Sequence, residues 1–471
     1  MPLEWIALLL LVIALATFFT SFMAPHELPK EPQISPVEQF RYYRSAAGWA
    51  LVHSKYTNPG PWTLPPMILY VEGEFLLNRS SQVPSYLLSS ICIRLMLKMG
   101  LHRDPSNLPN ITPFEGELRR RMWGMATQID LLVSFHMGLP SMVHGIESDT
   151  APPRNLLDED LDEGCAKLPP ARPDSEYTSL TYPIWKGDIC RVFGLVAKQA
   201  HSLTPPTHPE VMRLDAMLED IWSRVPAVLR IKPLAESITD PPNMINQRFG
   251  LAALYQKSRC VLHRRYLVEA VPDQEHAGSR RKCIDASLAL LDYQNTTYRA
   301  TLPGGILRQN GWFLTPLAVH DFLTAAMIIF LVIQSEYYPD AGGAFEWMEP
   351  GGGDALPSKQ KLRGLLEQSH GIWAAVSQEA PGMRKAFTIV DTMFKRLRPA
   401  ADGDDVPGQA QSNGWTPASA HTSAPDPAAG DEAAVLPQTW GLSLAGTYPA
   451  THIHTHTATH IHTHTYTHRH A

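Results

Sequence analysis

Residues 112–137 read TPFEGELRRRMWGMATQIDLLVSFHM, and this stretch decides the fold. Thr112, followed by Pro113 and then Glu115 three residues on, is a capping box with proline at the first helical position. Glu115 and Arg119, and Glu117 and Arg121, stand four apart in the favourable orientation for helical pairs. Trp123, Ala126, Asp130, Val133 and Met137 form one stripe, while Leu118, Met122, Met125, Ile129, Leu132 and His136 form a second. A helix running to about Met137 and buried on both sides is therefore expected. It would hold Asp130 in an apolar setting, where a carboxylate needs a cation or a hydrogen-bond donor. Asp130 reads as half of a structural pair, with Arg94, Arg103 or one of Arg119, Arg120 and Arg121 as candidate partners. The arginine triplet points in three directions on a helix, and two of its members have carboxylates one turn earlier, so it reads as salt bridging rather than phosphate binding.

Working outward, Pro84–Gly100 places Leu87, Leu88, Ile91, Leu95 and Met99 at helical spacing, with Lys98 in the last turn and Gly100 as the left-handed stop. Further breaks fall at Pro25–Pro36, Asn58–Pro65, Gly100–Pro113, Asp149–Pro173, Pro205–Pro209, Ile238–Pro242 and Gly342–Pro357. No series of alternating strands intervenes. The chain reads as all-α, a large multi-helix domain of about a dozen helices with a disordered C-terminal tail. Its expected parts are a first helical unit over 1–240, a helical continuation of the same unit over 241–400, and a low-complexity tail over 401–471. The tail is rich in Ala, Pro, Gly and Ser and ends in a Thr/His near-repeat.

Composition supports a folded chain, with 44% apolar and 18% charged residues among 471. A net charge of −6 argues against a broad phosphate-binding surface. The five cysteines, Cys92, Cys165, Cys190, Cys260 and Cys283, are odd in number and widely spaced, which leaves neither a disulfide framework nor a metal knuckle and suits a reducing compartment. The acidic run Asp158, Asp160, Asp162 starts like a calcium loop. Glu163 stands where glycine is required and Pro169 where the bidentate glutamate belongs, so it reads as a solvated linker. The terminal histidines suit adventitious metal binding and a microsatellite origin better than a built site. Gly441–Ala445, one residue from a nucleophile elbow, has no strand before it. With no Walker loop, dinucleotide fingerprint or zinc-protease motif, no catalytic and no metal residue is assigned, and a helical enzyme is the least favoured class.

The run Trp5–Ala24 has no charged side chain and is long enough to span a bilayer. Glu4 precedes it and Lys30 lies between Glu27 and Glu31, so the signal-peptide reading is weak and the positive-inside signal faint. A buried soluble helix is expected, with a membrane-anchored protein as the alternative.

Taken together, Gly100-Leu101-His102-Arg103-Asp104, the 114–123 run containing Glu117, Arg119, Arg120, Arg121 and Trp123, then Asp130, Ser134, Gly138-Leu139-Pro140 and Pro153-Arg154-Asn155 resemble the fungal-specific transcription factor domain. The signature spans residues 84–160. Leu262–Leu267, Arg281–Ala286 and His320–Met327 are similar to later parts of the same proteins. The resemblance implies an all-α regulatory region that follows a Zn2Cys6 DNA-binding module. It also implies a nuclear location, RNA polymerase II transcription regulation, and partners among the transcription machinery or co-regulators. A homodimer and a small-molecule effector are further options it opens. Three departures stand out: the six closely spaced cysteines are absent, Leu139 replaces a common arginine, and Gly124 replaces a common second tryptophan. Zinc and specific DNA contact would then belong to a module that these residues do not contain. The chain reads as either a truncated gene product or a natural paralogue without its DNA-binding end.

Overall fold

Proline, glycine and capping residues punctuate the chain into helices. The computed structural model describes residues 1–27, 34–77, 82–269, 271–309, 316–338, 340, 356–379 and 383–397, and among these no strand occurs. The α-helices are α1 Leu3–Met23, α2 Pro36–His53, α3 Leu64–Leu77, α4 Val83–Lys98, α5 Pro113–Met137, α6 Thr181–Ala200, α7 His208–Arg224, α8 Pro242–His263, α9 Ala277–Thr301, α10 Pro316–Gln334, α11 Lys359–Glu379 and α12 Arg384–Leu397. The breaks read at Asn58–Pro65, Gly100–Pro113, Asp149–Pro173, Pro205–Pro209 and Ile238–Pro242 fall at joints between successive helices. The tail expected over 401–471 lies outside the described residues, as does most of the break at Gly342–Pro357.

Three apolar clusters follow one another along the chain. The first joins α1 to α4 with the start of α5, through Leu11, Leu51, Met67, Ile93, Trp123 and Ala126. The second takes Leu131, Leu132 and Phe135 from the far half of α5 and packs them with α6, α7 and α8. The third gathers α8 to α12 around Cys260, Leu290, Ile329, Leu366 and Val390. Two helices therefore carry the architecture, α5 shared by the first pair of clusters and α8 by the second. Burial on both sides, as read for α5, is the consequence of that position.

Helix ends form where the sequence places them. Thr112 Oγ1 accepts the Glu115 N–H while Glu115 Oε2 accepts the Thr112 N–H, closing the capping box. At the other end Gly138 takes φ +69°, and the Leu139 N–H returns to the Ser134 carbonyl at 3.0 Å. Gly100 does the same for α4 at φ +74°, with the Leu101 N–H reaching the Met96 carbonyl at 2.9 Å. Both are Schellman closures that need a residue free to adopt the left-handed region.

Two expectations change. On α4 the buried face is Ser85, Ser89, Cys92, Ile93, Leu95 and Met96, so Leu95 lies where expected, whereas Leu87 is 55% exposed. The small serines and the cysteine face inward beside Ile93, Leu95 and Met96; Leu88, Ile91 and Met99 are partly buried against the same cluster, and of the expected face Leu87 alone is exposed. On α1, Ala7, Leu11, Ala14 and Phe18 are buried, but Leu9, Val12 and Ile13 are 43%, 49% and 36% exposed. It is a helix docked by one stripe against α2 and α3 rather than one buried all round. Among the described residues it alone has the length and composition to cross a membrane.

Candidate functional site

The signature residues converge on α5 and act as braces around it. Met99, at the end of α4, offers its carbonyl to Arg119 Nη2 at 2.6 Å, so Arg119 satisfies a helix-end acceptor instead of forming the expected ion pair with Glu115. Arg120 grips Asp104 side-on, with Nε and Nη2 at 2.9 and 2.7 Å from its two carboxylate oxygens. Asp104 also accepts the N–H groups of Ser106 and Ala151 and the Ser106 hydroxyl. The Arg120 guanidinium holds the Asp104 carboxyl well below the usual carboxylate range even though Asp104 is buried. Arg121 pairs with Glu117 at 3.3 Å, as read from the spacing, and reaches Asp158 at 3.1 Å. Glu117 is fully buried and also accepts the Arg154 N–H at 3.1 Å; burial pushes its carboxyl up, and Arg121 offsets part of that.

Leu101 is buried with Trp123 in the first cluster. The His102 carbonyl accepts the Ser148 hydroxyl and the Asp149 N–H, which ties the segment after α5 back to the end of α4. Arg103 and Pro140 are exposed. Arg154 and Asn155 pin the following chain, Arg154 Nη1 to the Pro169 carbonyl at 2.9 Å and Asn155 Oδ1 to the hydroxyls of Thr178 and Thr181 at 2.6 and 3.1 Å. The segment from Ser148 to Thr178 is thereby a strap laid across α5. Its acidic run is solvated at Asp158 and Asp162, as expected, but anchored at Asp160, which Arg172 holds by two bonds at 2.6 and 2.8 Å, carrying its carboxyl down to about 2.

Asp130 is fully buried, and its partners are hydroxyls rather than an arginine. Ser141 donates to Oδ2 at 2.6 Å and Ser89 to Oδ1 at 3.4 Å, with the Met142 and Val143 N–H groups adding support. Burial pushes its carboxyl up, and these hydrogen bonds offset part of the rise. The reason is distance: Arg119 to Arg121 lie nine to eleven residues earlier, roughly 13–17 Å along the helix. The left-handed turn at Gly138 folds Ser141 back onto Asp130, a return that helical spacing alone does not show.

Two further buried polar centres were not legible from single motifs. Lys257 on α8 is 1% exposed, with Nζ 2.8 Å from Asp321 Oδ1 on α10 and 3.0 Å from His136 Nε2 on α5. The His320 ring stacks on His136 at 4.5 Å between centroids. Burial, reinforced by Lys257 and, for His320, by His136, pushes both imidazoles well below their ordinary value. Among the described residues His136, His320 and Asp321 are close enough to share a metal ion, but the Lys257 ammonium already stands between imidazole and carboxylate. In the second centre, Asp215 on α7 meets His263 at 3.1 Å, Arg259 at 3.7 Å and Lys282. Although burial pushes the Asp215 carboxyl up, the His263 and Lys282 bonds carry it down to about 2.

A cavity of about 460 Å³ opens between α5, α6 and the chain from Val143 to Pro153. Trp123, Leu131, Val143 and Ile146 supply apolar wall, Arg120 one end, and Arg191 and Lys198 lie on the α6 side. Asp130, His136, Lys257, Asp215 and Asp321 are not among its walls. Cys190 is, but burial pushes its thiol up to about 11, so at neutral pH it is no nucleophile. The shifted groups away from the cavity hold helices together.

The braced helix pair can now be set beside known proteins. Residues 6–178 match the fungal specific transcription factor domain. The chain carries a fungal-specific transcription factor domain. Its limits run from the first turn of α1 through α5 and the strap, so nearly all of α1 falls within the domain, which does not favour the membrane alternative. The chain is 36% identical over 419 residues to the Zn(2)-C6 fungal-type transcription factor mpsB of Macrophomina phaseolina, covering 87% of this chain and 55% of that one. It is 34% identical to the Zn(2)-C6 fungal-type transcription factor pigI of Monascus ruber, over 84% of this chain and 48% of the relative. It is 30% identical to the equisetin cluster transcription factor eqxF of Fusarium heterosporum, over 84% and 56%. The chain thus spans about half the length of the curated relatives it matches.

Proposed function

We propose that this chain is the regulatory region of a pathway-specific fungal transcription factor, acting in the nucleus on RNA polymerase II transcription of a biosynthetic gene cluster. The observation that carries the reading is the similarity of 84–87% of the chain to proteins named as transcription factors, including one named for a cluster. The site geometry agrees with it, because the signature residues build a rigid scaffold and assemble no reacting centre. Zinc and sequence-specific DNA contact are assigned to a Zn2Cys6 module outside these residues; the five cysteines here are free, and four of them are buried. The chain itself works through protein partners, co-regulators or transcription machinery, that read the state of its helices. Tethering the chain to a DNA-binding module of independent specificity, upstream of a reporter in a fungal host, tests this. A several-fold change in reporter output relative to the module alone supports the reading; output equal to the module alone, with the fusion present in the nucleus, refutes it.

A further inference from the structure

The cavity between α5 and α6 has a size, a lining and a charge that together specify an occupant. Its 460 Å³ lies within the range of pockets that take up small organic ligands, and its wall is mainly apolar. The helices facing it are opened by glycine, Gly124 on α5 with Gly187 and Gly194 two turns apart on α6. A mid-helix glycine weakens a helix, so close packing would have to explain it. At Gly187 it does, because an added Cβ would stand 3.1 Å from Gln128 Nε2. At Gly124 it does not: an added Cβ would meet only Pro153 Cδ, at 4.0 Å, and at Gly194 nothing nearer than Leu131 Cδ2 at 3.7 Å. Those two glycines leave space that larger side chains would fill.

Charge sets the rest. Of the cations on the wall, Arg120 is held by Asp104 and Arg191 pairs with Asp188 at 3.4 Å. Lys198 has no ion pair among the described residues. It stands near His144, whose imidazole burial lowers first and the His201 and Lys198 charges lower further, so His144 is a neutral hydrogen-bonding group at neutral pH. One uncompensated ammonium beside an apolar cleft favours a single negative charge on an apolar body.

We propose that this cavity binds an amphipathic organic monoanion, its carboxylate at Lys198 and its apolar body between Trp123 and Leu131, and that this is the effector the chain senses. The effector role rests on the regulatory reading above; the binding does not. An occupant would join α5, α6 and the strap, and it shifts their arrangement to the extent that it binds one arrangement better than another. Because α5 is shared by two apolar clusters, that preference reaches both.

Three probes of equal chain length test the site on the full chain: decanoate, decan-1-ol and decyltrimethylammonium, each below its micelle concentration and followed by titration calorimetry. Decanoate should saturate one site per chain, decan-1-ol should bind at least about 10-fold more weakly, and the cation should show no saturable binding, as a charge-assisted contact at Lys198 requires. Gly124→Trp should weaken decanoate and decan-1-ol alike by at least about 10-fold, by filling the cleft. Lys198→Gln should weaken decanoate about 10-fold and leave decan-1-ol unchanged. Lys198 is exposed, so its substitution leaves folding intact and the test stands even if Gly124→Trp is insoluble. Equal affinity for the three probes, or decanoate affinity unchanged in Lys198→Gln, overturns the site. If no probe saturates while the tethered chain still changes its reporter, the site falls and the regulatory reading survives. If decanoate binds as described but the tethered chain is silent with and without it, the effector role falls with the regulatory reading.

Discussion

Replacing Asp104 by alanine removes the centre of the bracing around α5. Asp104 is 5% exposed and accepts five hydrogen bonds, two of them from the Arg120 guanidinium at 2.9 and 2.7 Å. Its loss leaves a largely buried arginine without its counter-charge and frees the Ala151 N–H that holds the strap. Breaking one half of a buried pair typically costs about 3–5 kcal/mol. For a helical unit of this size that lowers the melting temperature by roughly 4–6 °C. Differential scanning fluorimetry reads the shift, and limited proteolysis between Ala151 and Thr178 reads the release of the strap. Asp104→Leu combined with Arg120→Met should recover much of the loss, because an apolar pair leaves no stranded charge. Melting within about 1 °C of the wild type for Asp104→Ala would refute the idea that the signature residues are structural braces.

Asp130→Ala should cost about 2–3 kcal/mol by stranding the Ser141 hydroxyl and the turn N–H groups, while Asp130→Asn, which keeps an acceptor, should cost under about 1.5 kcal/mol; equal losses in urea denaturation would point to charge instead. His136 and His320 are held well below the ordinary imidazole value, so their contribution is complete above about pH 6.5 and falls with pH below it, where the unfolded chain takes up protons that the folded chain refuses. Each histidine contributes up to about 1.4 kcal/mol per pH unit, and a smaller loss between pH 7.5 and 5.5 in His136→Gln than in the wild type checks it. Deleting residues 1–24 should uncover the α2 and α3 faces that bury Leu11 and Phe18 and send the protein into aggregates, while the intact chain stays soluble without detergent; intact protein that floats with lipid would contradict the docked-helix assignment of α1.

How far the sequence reveals this molecule depends on whether a residue acts on its own turn or across the fold. The α5 start and stop and the Gly100 stop were readable, because a capping box and a left-handed glycine are complete within a few residues. The Glu117–Arg121 pair was readable for the same reason, whereas Arg119 left its expected helical partner for a carbonyl on α4. Asp130 was recognisable as a buried carboxylate needing partners, but the partners arrive on a turn that reverses direction at Gly138. The Lys257–Asp321–His136 centre draws on three helices more than a hundred residues apart from first to last, and a lysine in an amphipathic pattern looks like any solvated cation. The cavity is least legible of all, since it is defined by Gly124 and Gly194 as side chains that are not there. Sequence does note Gly124 as a departure from the family pattern, and the structure places it on the cavity wall.

The central claim, that this chain regulates transcription, is tested most directly by deleting its gene and comparing transcripts genome-wide in the wild type, the deletion and the deletion restored with the gene. The account predicts that a contiguous group of biosynthetic genes changes together in the deletion and returns on restoration. Transcript profiles indistinguishable among the three strains, under conditions in which the protein is present in the wild type, would contradict it.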